Sequence, residues 1–475
     1  MSDSTIRSVY FMGICGTGMG SLAGLVQSQG YEVSGSDEHV YPPMSTRLED
    51  WGIPVLEGYK PEHLSPKPDL VVVGNVIRKV NPEASAMRDS GLEHISMPQA
   101  IARFGIGDKH SIVVAGTHGK TTTSSLIAHL LMHAKLDPSY LVGGVLVGYR
   151  ESFRSGDGDF FAIEGDEYDT AYFDKGPKFR HYKPKTAIIS SLEFDHADIF
   201  DSVEDVENAF TQLVTIVPED GHLVAWAGAT RAVRLIQESG VTKKVTLFDT
   251  KPGEGVRLWM KHCETTPDGL VFEAVRDGES LGEMTVPMWG EFSARNVLAA
   301  IAATEAANLS ADQLRAGLAS FKGVKRRMEV IGESGGVTVV DDFGHHPTAV
   351  TLTLAAARKR WPGRRVTAVF EPRSATSRRN VFQNAFIEAF SGADHVVVGT
   401  HVRLAEVDES QRFSPEKVAS ELTSRGLVAA APGDVDAVLS YLERETRQGD
   451  VIIVFSNGDF GGLHGRLVKQ IGETA

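Results

Sequence analysis

Residues 111–123 read SIVVAGTHGKTTT, and the fold follows from how that stretch divides. The apolar run at 112–115 predicts a buried parallel strand. Gly116-Thr117-His118-Gly119-Lys120-Thr121 predicts a tight turn, and the pattern at 122–133 predicts a helix. Strand, glycine turn and helix in that order describe a phosphate loop. Backbone N–H groups turn inward around phosphate oxygens, and the helix N-terminus adds partial positive charge. Lys120 is expected to reach the β- and γ-phosphates, and the Thr121 hydroxyl to ligate Mg²⁺. The loop is shorter than the common GxxxxGK(S/T) spacing, because Val114 stands where that pattern has its first glycine. We read it as an ATP loop.

A chain of 475 residues predicts two to four domains, each with its own core. Composition is that of a globular protein, without repeats or low-complexity runs. A formal net charge of −14 argues against a nucleic-acid partner, which requires a basic face. No apolar run approaches membrane-spanning length and no secretory leader is expected, so no membrane partner is predicted. Two cysteines, Cys15 and Cys263, make no disulfide framework and predict a reducing compartment, the cytoplasm. No obligate protein partner is evident.

Upstream of the loop, 9–11 predicts a strand, Gly13-Ile-Cys-Gly16-Thr-Gly18-Met19-Gly20 a turn, and 21–29 a helix. A second strand at 32–34 leads to Ser36-Asp37. Glycines at the first turn and an acid after the second strand suit a nucleotide diphosphate. The glycines allow close pyrophosphate approach, and Asp37 meets a ribose hydroxyl. This pattern does not separate NAD from a UDP-sugar. A strand at 69–73, a short helix at 98–103 and a linker at 105–109 complete the first unit.

Downstream, a strand at 159–163 is followed by Glu164-Gly-Asp166-Glu167-Tyr-Asp169, a set of acids where Mg·ATP needs a carboxylate. Glu164, first after the apolar run, is the ligand candidate. A strand at 186–190 precedes Asp195-His196, placed where a second metal ion or the reacting groups would sit. Residues 221–286 show short strand-like runs and little helix, which predicts β additions. Asn296 then opens an Ala-rich helix at 297–307, and a helix-start asparagine is also an ordinary cap.

Lys325-Arg326-Arg327 reads as a hinge whose arginines grip the γ-phosphate across an interface. Beyond it, strands at 336–340, 366–370, 395–398 and 451–455 end in Asp341-Asp342, Glu371-Pro-Arg373-Ser374 and Ser456-Asn457-Gly458-Asp459. Polar motifs at strand C-termini mark the ligand edge of a doubly wound sheet. Three α/β units carrying a diphosphate loop, an ATP loop and a ligand edge suggest a ligase. ATP turns a carboxylate into an acyl phosphate, an amine attacks it, and phosphate leaves. An NAD-dependent oxidoreductase, resting on the first glycine loop alone, is the alternative from another class.

GTHGKTT (116–122), GICGTGMG (13–20), LEFDHADIF (192–200), KRRME (325–329) and DDFGHHP (341–347) together resemble the Mur ligase family over essentially the whole chain. The resemblance implies a three-domain α/β protein. Residues 1–107 would form a Rossmann-like UDP-sugar-binding domain, and 108–324 a central P-loop ATPase-type domain with added β structure. Residues 325–475 would form a Rossmann-like peptide-binding domain. It implies ATP and Mg²⁺ as cofactors and UDP-N-acetylmuramate as one substrate. YPPMST (41–46), DEYDTAYFDKGPKF (166–179), EPRS (371–374) and SNGDFGG (456–462) resemble the branch that adds the tripeptide L-Ala-γ-D-Glu-meso-diaminopimelate in peptidoglycan recycling. The alternative acceptor within the family is L-alanine.

By the same resemblance, Gly16, Gly18, Met19, Ser36 and Asp37 would hold the UDP-sugar. Gly116, Thr117, His118, Gly119, Lys120, Thr121, Thr122 and Asn296 would hold ATP, with Asp342 on its ribose. Thr121 and Glu164 would bind one Mg²⁺ and His196 a second. Arg327 would meet the γ-phosphate, and Arg373 and Ser374 would face the peptide. Lys120, Glu164, His196 and Arg327 form the implied catalytic set. Where the family pattern GxHNxxN has His-Asn, this chain has Phe292-Ser293 and keeps only Asn296. The predicted helix at 203–217 contains no lysine, so the carbamylated lysine of several sister ligases is not expected there.

Overall fold

The computed structural model describes residues 6–42, 44–195 and 199–473, and among them the strands form three sheets. The first is wholly parallel, in the order Val55–Glu57, Glu32–Asp37, Ser8–Met12, Leu70–Val73 and His94–Ser96. Its order reverses between Ser8–Met12 and Leu70–Val73, and such a switch point opens a crevice at the strand C-termini. Val9 to Met12 are all buried, as expected of a strand covered on both faces.

The helix after the first strand spans Thr17–Ser28, four residues earlier than expected. Its glycines weigh against helix by propensity but are small for packing reasons. A Cβ on Gly20 would come within 2.3 Å of Met44 Sδ, and one on Gly24 within 2.5 Å of the Phe153 ring. Through Gly24 and a 2.7 Å Ser21–Ser152 hydroxyl contact, this helix docks on the central unit. One core cluster accordingly runs from Phe11 and Leu22 into Phe161 and Phe210.

The central sheet has ten strands. In order they are Glu279–Val286, Gly269–Arg276, Val256–Thr266, Lys244–Asp249, His222–Trp226, Thr186–Ile189, His110–Ala115, Phe160–Gly165, Ser139–Leu141 and Phe153–Arg154. The strands from Lys244–Asp249 to Ser139–Leu141 run parallel, and an antiparallel meander extends one edge. That meander is the added β structure expected at 221–286. The same region also holds an unexpected helix, Thr230–Glu238. The helix Gly290–Ala303 begins seven residues before the expected start, so Asn296 lies inside it and caps nothing. Ser202 and Asp205 form a capping box on Val203–Ile216, which holds no lysine.

The third sheet runs Glu329–Ser334, Val337–Asp342, Val451–Phe455, Val366–Phe370, His395–Gly399 and Val428–Gly433, parallel except for the first strand. Glu329–Ser334 and Val428–Gly433 are edge strands that periodicity does not reveal. The core clusters on the two faces of this sheet contain only residues of this unit. Its described links to the central unit include polar ones: Arg327 to Thr121, Thr348 to Glu193, and Thr376 to Asp195.

Candidate active site

The phosphate loop lies between His110–Ala115 and the helix Lys120–His133, which starts two residues earlier than expected. Gly119 caps that helix at φ +82°, a conformation open to glycine, and a Cβ there would come within 2.5 Å of Asn296 Oδ1. Lys120 Nζ donates to the Gly116 carbonyl at 2.7 Å and pairs with Glu167 at 3.4 Å and Asp166 at 3.9 Å. Burial works against the Lys120 charge, but Glu167 and Asp166 outweigh it and raise its pKa.

Glu164 sits beside Val114 in the sheet register, at the end of Phe160–Gly165. Its Oε2 accepts from the Thr121 hydroxyl at 3.0 Å, and its Oε1 accepts from the Gly143 N–H. Burial and the nearby Asp166 raise the pKa of Glu164. An aliphatic hydroxyl and a carboxylate are hard oxygen donors, so the pair fits Mg²⁺. Asp166 differs from its neighbour: burial opposes its charge, but Lys178 at 2.8 Å and Lys120 bring it down to about 2. The acids after Glu164 are therefore anchors for lysines, Asp169 included, which pairs with Lys175 at 2.6 Å.

Beside the loop, Asn296 is buried, its Oδ1 accepts from the Thr123 hydroxyl at 3.3 Å, and its Nδ2 has no partner among the described residues. An unspent amide donor next to Gly119 suits an acceptor on a bound nucleotide. Phe292 and Ser293, one turn earlier, line the same cleft, as does Thr122. Thr117 exchanges hydrogen bonds with the backbone of Glu193, and the His118 N–H donates to Ser191 Oγ at 3.0 Å.

Across the cleft, Arg327 Nη2 donates to Thr121 Oγ1 at 3.1 Å, and its guanidinium lies 4.7 Å from the Phe343 ring centroid. Arg326 does not reach the phosphate loop, contrary to the expectation for both hinge arginines. It pairs with Asp341 and donates to the Ser456 and Gly458 carbonyls, bracing its own unit. Asp342 is buried and spends one oxygen on Met328 N–H and the other on Gly344 N–H, which holds the turn carrying Arg327. Arg373 lies across Gly458, where a Cβ would overlap the guanidinium, and faces Asp459 at 3.6 Å. Ser374 is turned to Ser377, donating at 2.8 Å and accepting its N–H at 3.0 Å.

Lys120, Thr121, Glu164, Asn296, Arg327, Asp342 and Arg373 line one cleft of about 1380 Å³ that also reaches Thr17, Gly18 and Tyr41 of the first unit, while Ser374 is not among its lining residues. Gly16 is exposed beside it. Asp37 accepts the N–H groups of Cys15 at 2.9 Å and His39 at 3.1 Å, so it fastens the glycine turn. Two residues expected at the sugar site present no free side chain. Ser36 is fully buried with its hydroxyl on Glu83, and the Met19 side chain is packed into the core. Met19 has only its N–H, in the first helical turn, to offer. His196 lies outside the described residues. Residues that sequence reasoning did not single out include Lys178, at the end of a quoted motif, and Glu193, one position before Phe194-Asp195.

Three families match in succession: Mur ligase family, catalytic domain, at 8–107; Mur ligase middle domain, at 114–304; and Mur ligase, glutamate ligase domain, at 326–458. The chain is 38% identical over 468 residues to the UDP-N-acetylmuramate–L-alanyl-γ-D-glutamyl-meso-2,6-diaminoheptandioate ligase of Escherichia coli (strain K12), covering 98% of this chain and 99% of that one. The crystal structure of a murein peptide ligase from Psychrobacter arcticus 273-4 is 33% identical, with a TM-score of 0.75 over 98% of this chain and 99% of that one. A UDP-N-acetylmuramate–L-alanine ligase of Clostridium kluyveri is 31% identical over 98% of this chain and 97% of its own length.

Proposed function

The chain belongs to the Mur ligase family, and we propose that it joins L-Ala-γ-D-Glu-meso-diaminopimelate to UDP-N-acetylmuramate with cleavage of ATP to ADP and phosphate. The observation that carries the chemistry is the meeting of three groups at one hydroxyl. Thr121 Oγ1 is 3.0 Å from Glu164 and 3.1 Å from Arg327, which joins the ATP loop, a metal-type carboxylate and a cation of the opposite unit. An oxidoreductase would leave that convergence without use, and family membership sets it aside.

In this reading, 1–107 binds the UDP-sugar, 108–324 binds ATP, and 325–475 binds the peptide. Lys120 exchanges its contacts with Glu167 and the Gly116 carbonyl for the β- and γ-phosphate oxygens. Thr121 and Glu164 would hold Mg²⁺, which would supply charge neutralisation at the transferring phosphoryl group. Arg327 meets the charge that develops on that group. A carboxylate oxygen of UDP-N-acetylmuramate attacks the γ-phosphorus and ADP leaves. The peptide amine then adds to the acyl carbon, loses a proton, and phosphate departs. Arg373, held flat on Gly458, and Asp459 offer one positive and one negative group to a zwitterionic peptide end. Burial of the reacting groups between units keeps water from the acyl phosphate.

Reaction in the reducing cytoplasm accords with free Cys15 and Cys263. Among the described residues no helix is long and apolar enough to cross a membrane. The experiment is phosphate release from Mg·ATP in the presence of UDP-N-acetylmuramate and either tripeptide or L-alanine. The tripeptide alone should support release.

A further inference from the structure

A second group of metal-binding side chains lies at the seam between the central and third units and shares no residue with the Thr121–Glu164 pair. One ring nitrogen of His118, one of His346 and one carboxylate oxygen of Glu193 lie within 4.8 Å of one another. His118 Nε2 is 3.4 Å from Glu193 Oε2, long for a charge-assisted hydrogen bond. It is close to the ligand–ligand edge of a tetrahedral zinc site, about 3.3 Å for bonds of about 2.0–2.1 Å. The two imidazole centroids are 4.7 Å apart. His346 is 7% exposed, and its Nε2 has no hydrogen-bond partner among the described residues.

The surroundings hold these groups as outer contacts hold metal ligands. The Thr348 hydroxyl donates to Glu193 Oε2 at 2.8 Å. The His118 backbone is fixed on both sides, its N–H on Ser191 Oγ and its carbonyl under Ser190 Oγ. We propose that His118, Glu193 and His346 form a site for a divalent transition metal of the zinc class, which ties the third unit to the central one. Two imidazoles and one carboxylate select zinc, cobalt or nickel over Mg²⁺, in contrast to the all-oxygen pair at Thr121. The ligands come from both units, so an ion here resists their separation. Loading gives up the 3.3 Å bond that Thr348 N–H makes to His346 Nδ1, because the bound ring either uses Nδ1 or protonates it. The proposal does not depend on which amine the protein joins.

Cobalt(II) titration of the full chain, freed of metal by a chelator and held in excess Mg²⁺, tests it. One equivalent should bind with intense tetrahedral visible bands, and zinc should displace it. His346→Ala and Glu193→Gln should each weaken cobalt binding at least about tenfold, while Glu164→Gln leaves the bands unchanged. Glu193→Gln keeps the test open if the helix-capping His346 variant fails to fold. A weak octahedral spectrum, bands indifferent to Glu193→Gln, or bands lost in Glu164→Gln would overturn the proposal.

Discussion

Arg327 of the third unit donates to the Thr121 hydroxyl of the phosphate-loop helix at 3.1 Å, so the ATP loop is completed by a residue 206 positions away. Arg327→Ala should lower kcat on the order of 10²–10³-fold, as loss of a charge-stabilising group at a phosphoryl centre does. Arg327→Lys should not restore it, since a point charge does not replace a planar fork. Steady-state phosphate release gives the answer; full rescue by lysine would contradict the geometry.

Lys120→Ala should abolish ligation while UDP-sugar affinity stays within about twofold, because the proposed ATP and UDP-sugar sites lie in different units. Calorimetric titration with UDP-N-acetylmuramate, beside the activity assay, separates the two effects. Unchanged turnover would refute the ATP loop.

Glu164→Gln keeps the shape of the buried carboxylate that Thr121 and Gly143 hold but removes its charge. The Mg²⁺ concentration for half-maximal rate should rise at least about tenfold. An unaltered Mg²⁺ dependence would remove Glu164 from the metal.

Gly458→Ala puts a methyl group where the Arg373 guanidinium lies. The KM for the peptide should rise about tenfold or more, while the KM for ATP stays near its original value. Equal changes in both would mean that Arg373 does not read the peptide.

His222 is buried and hydrogen-bonded to Thr246 at 2.8 Å, and burial, with Lys244, Arg257 and His110 against Glu305, holds its pKa down at about 4. Between about pH 6.5 and 4 the unfolded chain binds a proton that the folded one refuses, so stability falls as pH falls through that window. His222→Gln should remove up to about 3 kcal/mol of this dependence. Denaturant melts at several pH values measure it, and parallel curves for the two proteins would refute it.

The strands Val366–Phe370 and Val451–Phe455 were legible to the residue, because continuous apolar runs bounded by polar motifs have one good reading. Helix starts at Thr17 and Gly290 were not, since glycines inside them oppose helix locally and are set by neighbours such as Met44 and Ala356. Thr230–Glu238 was passed over inside a β-rich stretch. Of the candidate site, Lys120, Thr121, Glu164 and Arg327 come together as their motifs suggest, while Ser36 and Met19 turn inward to Glu83 and the core. Contacts between units, such as Thr348 on Glu193, leave no local periodicity to read.

The most direct measurement mixes the protein, Mg·ATP and UDP-N-acetylmuramate with L-Ala-γ-D-Glu-meso-diaminopimelate in one tube and L-alanine in another. Phosphate release and product mass are followed in both. Release with the tripeptide, and a product heavier than UDP-N-acetylmuramate by that peptide less one water, is the predicted result. Release with L-alanine alone would contradict it.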